Sequence, residues 1–414
     1  MADTKLFCDV CGGGITMQTG GKSGICDNCG TKYSIERLRE ILKVTNANIV
    51  KHREDVDRWK SMLEIYLNNF DFIAAENAVK KILEVDNSSK DIQNLYKFLQ
   101  VWKYLDIKHG VLIKYTGRAE NVIIPQGVKV IEREAFRGNK YLKGIAMPNS
   151  LKSLDDETFS ECQNLTEVML PNSIKQIGNG AFRGCSALKN IKIPESVTVI
   201  GDSAFRGCSA LKDIKIPENV TQIGDYAFCG CSSLEDIQIP LKIKSIGERT
   251  FSGCNSLKNI QIPFGVTNLS EGCFSSCNNL EFLDIPSSVT TIGDGAFRGC
   301  CGVQNVHMPD SVTYIGQYAF CGCSKLKSIH ISSGVSSIRS GAFASCSSLT
   351  DVDIPYSVTN IGNGAFAGTP FGNRQHDWVL ALKCRWCGGA FGKIDGVCKS
   401  CGRPRDYVID APHK

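Results

Sequence analysis

Between about residues 109 and 371 the apolar positions return in one order every 23 residues, and the aromatic beat never slips: Phe136, Phe159, Phe182, Phe205, Phe228, Phe251, Phe274, Phe297, Phe320, Phe343 and Phe366. Read from Phe182, one unit runs Phe-Arg-Gly-Cys-Ser-Ala-Leu-Lys-Asn-Ile-Lys-Ile-Pro-Glu-Ser-Val-Thr-Val-Ile-Gly-Asp-Ser-Ala, and the unit from Phe205 keeps nearly the same order. A cysteine stands three places after the aromatic in nine units, Cys162 to Cys346, and a proline closes the apolar run in most of them, with Ser332 as an exception. The Leu-x-x-Ile-x-Ile stretch alternates like a half-buried strand, and the proline, which cannot donate to a ladder, stops it. Gly201 and its counterparts, followed by polar residues, mark the turn back to the next aromatic. A unit of this length cannot bury its own apolar face and must stack on its neighbours. The pattern therefore predicts a mostly β solenoid in which each 23-residue unit adds one short parallel rung.

These residues resemble the BspA-type leucine-rich repeats of bacteria and some protists, whose signature is aromatic-x-Gly-Cys-x-x-Leu-x-x-Ile-x-Ile-Pro-x-x-Val-x-x-Ile-Gly. The likeness covers residues 109–371. It implies a curved right-handed solenoid used for recognition, including surface adhesion in some members, and it does not imply catalysis.

Residues 34–108 have helical apolar spacing instead. Ile35, Leu38 and Leu42 share one face after Ser34, a candidate N-cap; Trp59, Met62, Leu63 and Tyr66 share another, and Ile92, Leu95, Tyr96 and Leu99 a third. The stretch from Asn68 to Asn87 resembles the second half of a tetratricopeptide repeat, although Phe70 stands where that family prefers glycine and Asn87 where it prefers proline. A helical hairpin spacer is expected, with Trp59, Trp102 and Tyr104 in its core. At the solenoid's ends, Val111–Tyr115 and Val122–Pro125 read as a degenerate opening coil, and Thr369-Pro370-Phe371 replaces the cysteine position and ends the array.

Of the 21 cysteines, eight fall outside the repeat in two constellations, Cys8-x-x-Cys11 with Cys26-x-x-Cys29 and Cys384-x-x-Cys387 with Cys398-x-x-Cys401, each pair followed by glycine. Paired knuckles of this kind place four thiolates around a tetrahedral centre, so residues 1–33 and 372–414 read as zinc ribbons, one zinc ion in each, with iron the chemical runner-up. Four protein ligands leave no open position for catalysis. The nine periodic cysteines read as small buried hydrophobes stacked from rung to rung, whereas Cys229-Gly-Cys231, Cys300-Cys301 and Cys321-Gly-Cys323 are candidates for metal or redox chemistry.

Charge limits the partners. The last ribbon carries Arg385, Lys393, Lys399, Arg403 and Arg405, yet eight thiolates against two divalent ions remove four charges from the formal +5 and leave the chain near neutral. That is little field for non-specific phosphate binding. The first residues lack a basic patch followed by an apolar stretch, and no run is long enough to span a membrane, so the chain reads as cytoplasmic, unlike the adhesin members of the resembled family.

The residue between the two isoleucines of each strand points outward at the same height on every coil: Met169, Lys192, Lys215, Gln238, Gln261, Asp284, His307, His330 and Asp353, with Phe282 beside them. His307 and His330 fall on adjacent rungs. With no Ser/His/Asp order, phosphate-cradling loop or convergent carboxylate pair in view, the chain reads as a non-enzymatic scaffold binding a protein along this stripe. A nucleic-acid-associated factor using the ribbons is the alternative, and a cell-surface adhesin ranks lower.

Overall fold

The computed structural model describes residues 15–17, 23–26, 32–34, 37, 54–355, 357–373 and 408–409, and the chain divides into two compact units, Met1–Lys103 and Tyr104–Lys414.

In the first unit, β1 (Ile15–Met17), β2 (Ser23–Cys26) and β3 (Lys32–Ser34) form an antiparallel meander. Helix α1 is described over 54–68, followed by α2 (Phe72–Val85) and α3 (Lys90–Trp102). Asp71 caps α2 by accepting from the Ala74 amide at 3.0 Å, and Ser89 caps α3 through the Ile92 amide. Phe72, Ala75, Val79 and Ile82 of α2 are buried, as is Leu99 of α3. Phe70, in the place that tetratricopeptide repeats give to glycine, has φ 56, which explains the preference: the turn into α2 needs a left-handed residue. The Trp102 ring packs on Phe72 at 5.5 Å, while Lys81 covers the half-buried Trp59 at 4.0 Å. The face of Ile35, Leu38 and Leu42 lies outside the described residues.

The second unit opens with a hairpin of β4 (Leu105–Lys108) and β5 (Val111–Tyr115), and β5 then pairs in parallel with Val130–Ile131 of the first coil. Tyr104, expected in a core, is 47% exposed because it precedes this hairpin at the unit's edge. From there the coils stack at the 23-residue interval. The rungs containing Ile-x-Ile align as predicted, with Lys215 opposite Gln238 and Asp284 opposite His307.

A second parallel ladder is the main departure from the expected one rung per coil. Gln176–Ile177, Val199–Ile200 and Gln222–Ile223 pair in register, and six further strands run from Asn268–Leu269 through Asn360–Ile361 to Val408–Ile409. Each such rung is two residues long, one half-buried or exposed and one buried, too short for an alternating period to register in sequence. The following glycine is required by close approach: a Cβ on Gly201 would lie 2.8 Å from the Asn179 amide nitrogen of the preceding coil.

The third side is a run of tight turns around the phenylalanine. Residues two before and two after it hold positive φ in coil after coil, for example Gly180 (57°) and Gly184 (71°), and this lets alternate amides reach the next coil, as from Phe182 to the Ala204 carbonyl at 2.8 Å. The phenylalanines form a continuous buried column with centroids 5.0–5.6 Å apart. Tyr115 begins it, 5.2 Å from Phe136, and Phe371, on the short helix α4 (Pro370–Asn373), closes it edge-on at 5.1 Å from Phe366. The periodic cysteines are fully buried, and each donates its S–H to the phenylalanine carbonyl of the coil before, Cys185 to Phe159 at 3.1 Å. Burial pushes the Cys162 thiol up to about 12 and the deeper Cys208 and Cys254 further. No helix among the described residues is long and apolar enough to cross a membrane.

Candidate partner-binding face

The face is built from the simplest rule of strand geometry, that neighbouring side chains point to opposite sides. In Asp213–Lys215 the middle isoleucine is buried and both flanking residues are exposed, and the same exposed-buried-exposed order holds in Glu167–Met169, Asp236–Gln238, Phe282–Asp284 and Ser328–His330. Met169, Lys192, Lys215, Gln238, Gln261, Asp284, His307 and His330 are therefore exposed at one height, and Asp353 half so. Phe282 is 64% exposed and Met169 69% exposed, large apolar groups left bare beside charged and amide neighbours.

Some stacked positions on this side pair as unlike charges, whereas Asp213 lies opposite Asp236. Lys143 pairs with Glu120 at 2.8 Å and Lys258 with Glu235 at 3.2 Å, in each case across one coil interval. His330 pairs not with His307 but with Asp353, Nδ1 to Oδ2 at 2.9 Å, so the two histidines do not act as a pair. No three His, Cys, Asp or Glu side chains among the described residues come together as a metal site. Cys229 and Cys321 are half-buried and Cys301 is exposed, each a free thiol. Of the eight ribbon cysteines, Cys26 ends β2, whereas Cys8, Cys11, Cys29, Cys384, Cys387, Cys398 and Cys401 lie outside the described residues.

Two concavities were not foreseen. One, of about 570 Å³, sits where the strand face meets the proline turn and is lined by Asn172, Lys192, Glu195, Ser196 and Lys215. The other, of about 520 Å³, lies on the phenylalanine-turn side among Arg249, Glu271, Asp294, Arg298 and Tyr318. It opens where the position two before the aromatic changes from Tyr226 and Arg249 to Gly272 and Gly295 before returning to Tyr318. That step is the sequence signal that could have located it.

No curated protein matches the chain. Among solved structures, a leucine-rich cell surface protein from Faecalibacterium prausnitzii is 29% identical, covering 63% of this chain and 88% of its own, with a TM-score of 0.43. A leucine-rich repeat protein from Bacteroides ovatus is 27% identical over 68% of this chain and 96% of its own, with a TM-score of 0.43. The leucine-rich repeat protein of T. pallidum is also 27% identical, over 43% of this chain and 88% of its own, with a TM-score of 0.39. The BspA type leucine-rich repeat region matches residues 112–235, 187–301 and 270–373, more than half of the 414 residues, and the chain belongs to that family.

Proposed function

We propose that this protein is a non-enzymatic interaction scaffold that holds a protein partner along the strand face of its solenoid. The observation that carries the reading is the row of outward side chains held in register, coil above coil, by the parallel ladder. Fixed spacing lets an extended partner meet many side chains without ordering the scaffold first, which removes one of the usual costs of binding. The bare Phe282 and Met169 supply apolar anchors, and the polar positions around them supply register. Alanine at Lys215, Phe282 and His307 together should weaken a partner captured from the native cell extract by roughly tenfold or more. An unchanged affinity would remove the strand face from the account.

The same reading assigns a structural zinc ion to each end, on Cys8, Cys11, Cys26 and Cys29 and on Cys384, Cys387, Cys398 and Cys401. The antiparallel meander that carries Cys26 at the end of its middle strand is the sheet such a ribbon is built on, and four thiolates suit zinc. Metal analysis of the purified protein should return two zinc ions per chain; iron, or no metal, would reject the assignment. A reducing compartment suits a ladder of S–H donors, and we place the protein in one.

A further inference from the structure

On the two coils that follow Phe182 and Phe205 the strand side stacks lysine on lysine in two neighbouring columns. Lys189 lies beneath Lys212, whose amide reaches the Lys189 carbonyl at 3.4 Å, and the bridge from Asn190 to Asp213 brings Lys192 into register with Lys215. Adjacent rungs of a sheet lie about 4.8 Å apart. All four lysines are exposed. Asp213 sits between the two columns and Glu195 lines the nearby cavity, yet neither closes an ion pair with them, in contrast to Lys143 with Glu120 and Lys258 with Glu235 elsewhere. Like charges directly opposite each other on a sheet are destabilising. The arrangement is relieved by an anion placed between them, and the cavity of about 570 Å³ at Lys192 and Lys215, with the Asn172 amide on its wall, gives that anion a place.

Resting on the strand-face reading above, we propose that this lysine array receives an acidic segment of the protein partner, with a carboxylate seated between Lys192 and Lys215. The rest of the stripe favours a peptide over a nucleic acid. Beyond Lys215 the face turns to Gln238 and Gln261 and then to Asp284 and Asp353, with Asp236 and Asp351 beside them, so a polyanion with regularly spaced phosphates would run from lysines into carboxylates. A short acidic segment that ends at the amide rungs stops before Asp284 and meets only Asp213, Glu195 and Asp236 among the four lysines. A further lysine column, Lys129, Lys152 and Lys175, lies beyond the proline turn, beside the second ladder, and serves as an internal control.

The probe is a fluorescently labelled hexaglutamate peptide, titrated by anisotropy into the zinc-loaded full-length protein. Saturable binding that weakens with added salt is expected. Lys192→Gln with Lys215→Gln should weaken it by at least about tenfold, Lys192→Arg with Lys215→Arg should retain it, and Lys152→Gln with Lys175→Gln should leave it unchanged. The melting temperature of the first pair should equal or exceed that of the parent, because only repulsion has been removed. Absence of peptide binding, equal binding by the double glutamine variant, or a thymidine oligonucleotide that displaces the peptide and binds tighter would each overturn the proposal. With a captured partner the two readings separate. Loss on Phe282→Ala with His307→Ala, but not on the lysine changes, rejects the acidic segment and keeps the face; insensitivity to both sets rejects both.

Discussion

Ser203 holds φ 55, a left-handed conformation that glycine occupies at the equivalent Gly180, Gly272 and Gly295. A Cβ there costs about 1–2 kcal/mol. Ser203→Gly should therefore raise stability by up to about 1 kcal/mol, part of the relief being lost to glycine's freer unfolded chain, and a higher urea midpoint at unchanged slope would show it. The sequence displays glycine at this place in some units and not in others, so the requirement is not visible until φ is seen. The same is true of the column in which Asn179 Oδ1 accepts from the Asp202 amide at 2.8 Å and Asp202 Oδ1 from the Asp225 amide at 2.9 Å. In sequence these residues read only as turn formers; in the fold each caps the next coil. In the helical unit, Glu76 is buried and takes Lys80 at 2.7 Å and Lys103 at 3.4 Å, Lys80 doing most to hold its carboxyl down from an ordinary 4.5 to about 2. A carboxyl depressed in the folded state stabilises above its unfolded value and loses that contribution as pH falls. The ellipticity at 222 nm, which reports chiefly the helices, should weaken between pH 4.5 and about 2, and Glu76→Gln should flatten this limb.

At the scale of elements, the column of rings is the axis around which each coil is organised. Phe228 is fully buried between Phe205 at 5.4 Å and Phe251 at 5.6 Å, nearly parallel to both. Phe228→Ala should cost about 3–5 kcal/mol for the lost burial and cavity, with about 0.5–1.5 kcal/mol more for each broken ring pair. Phe366→Ala at the column's end, where Phe371 meets it edge-on and Phe366 is 5% exposed, should cost less. Chemical denaturation of the two variants side by side measures the difference. Equal costs would mean that the rings pack as independent core residues instead of as a stack. The column and the first ladder were legible because their residues are invariant in spacing and alternate over several positions. The second ladder was not, since a Val-Ile or Gln-Ile pair carries no period, and only its pairing with the coil before identifies it as a strand. The outward-facing stripe was legible for the same reason as the first ladder, whereas the cavity at Lys192 depends on how the proline turn places Asn172 of the neighbouring coil, which no local pattern encodes.

Considered over the whole solenoid, stability is a sum of coil terms and nearest-neighbour interfaces, because each coil touches chiefly the one before and the one after. The hydrogen bonds say this directly: the Phe205 amide reaches Ala227, the Cys208 thiol reaches Phe182, and the Thr221 amide reaches Thr198, all between adjacent coils. A complete period is then a removable unit. Excision of residues 228–250 joins Ala227 to Phe251, restores the 23-residue spacing between Phe205 and the next ring, and leaves every remaining interface of its original kind. The shortened chain should fold with the same β signature in circular dichroism and a moderately lower melting temperature, having given up one coil and one interface. Removing only residues 228–239 takes away the ring and first strand but keeps the second ladder, so the cysteine and phenylalanine columns lose their partners at one level while the outer ladder does not; that chain should be insoluble or molten. If the full-period excision behaved as badly as the half-period one, cooperativity would extend beyond neighbours. The strand face would then have to be treated as a single indivisible surface, instead of one in which the lysine coils and the histidine coils can be moved closer together by whole units.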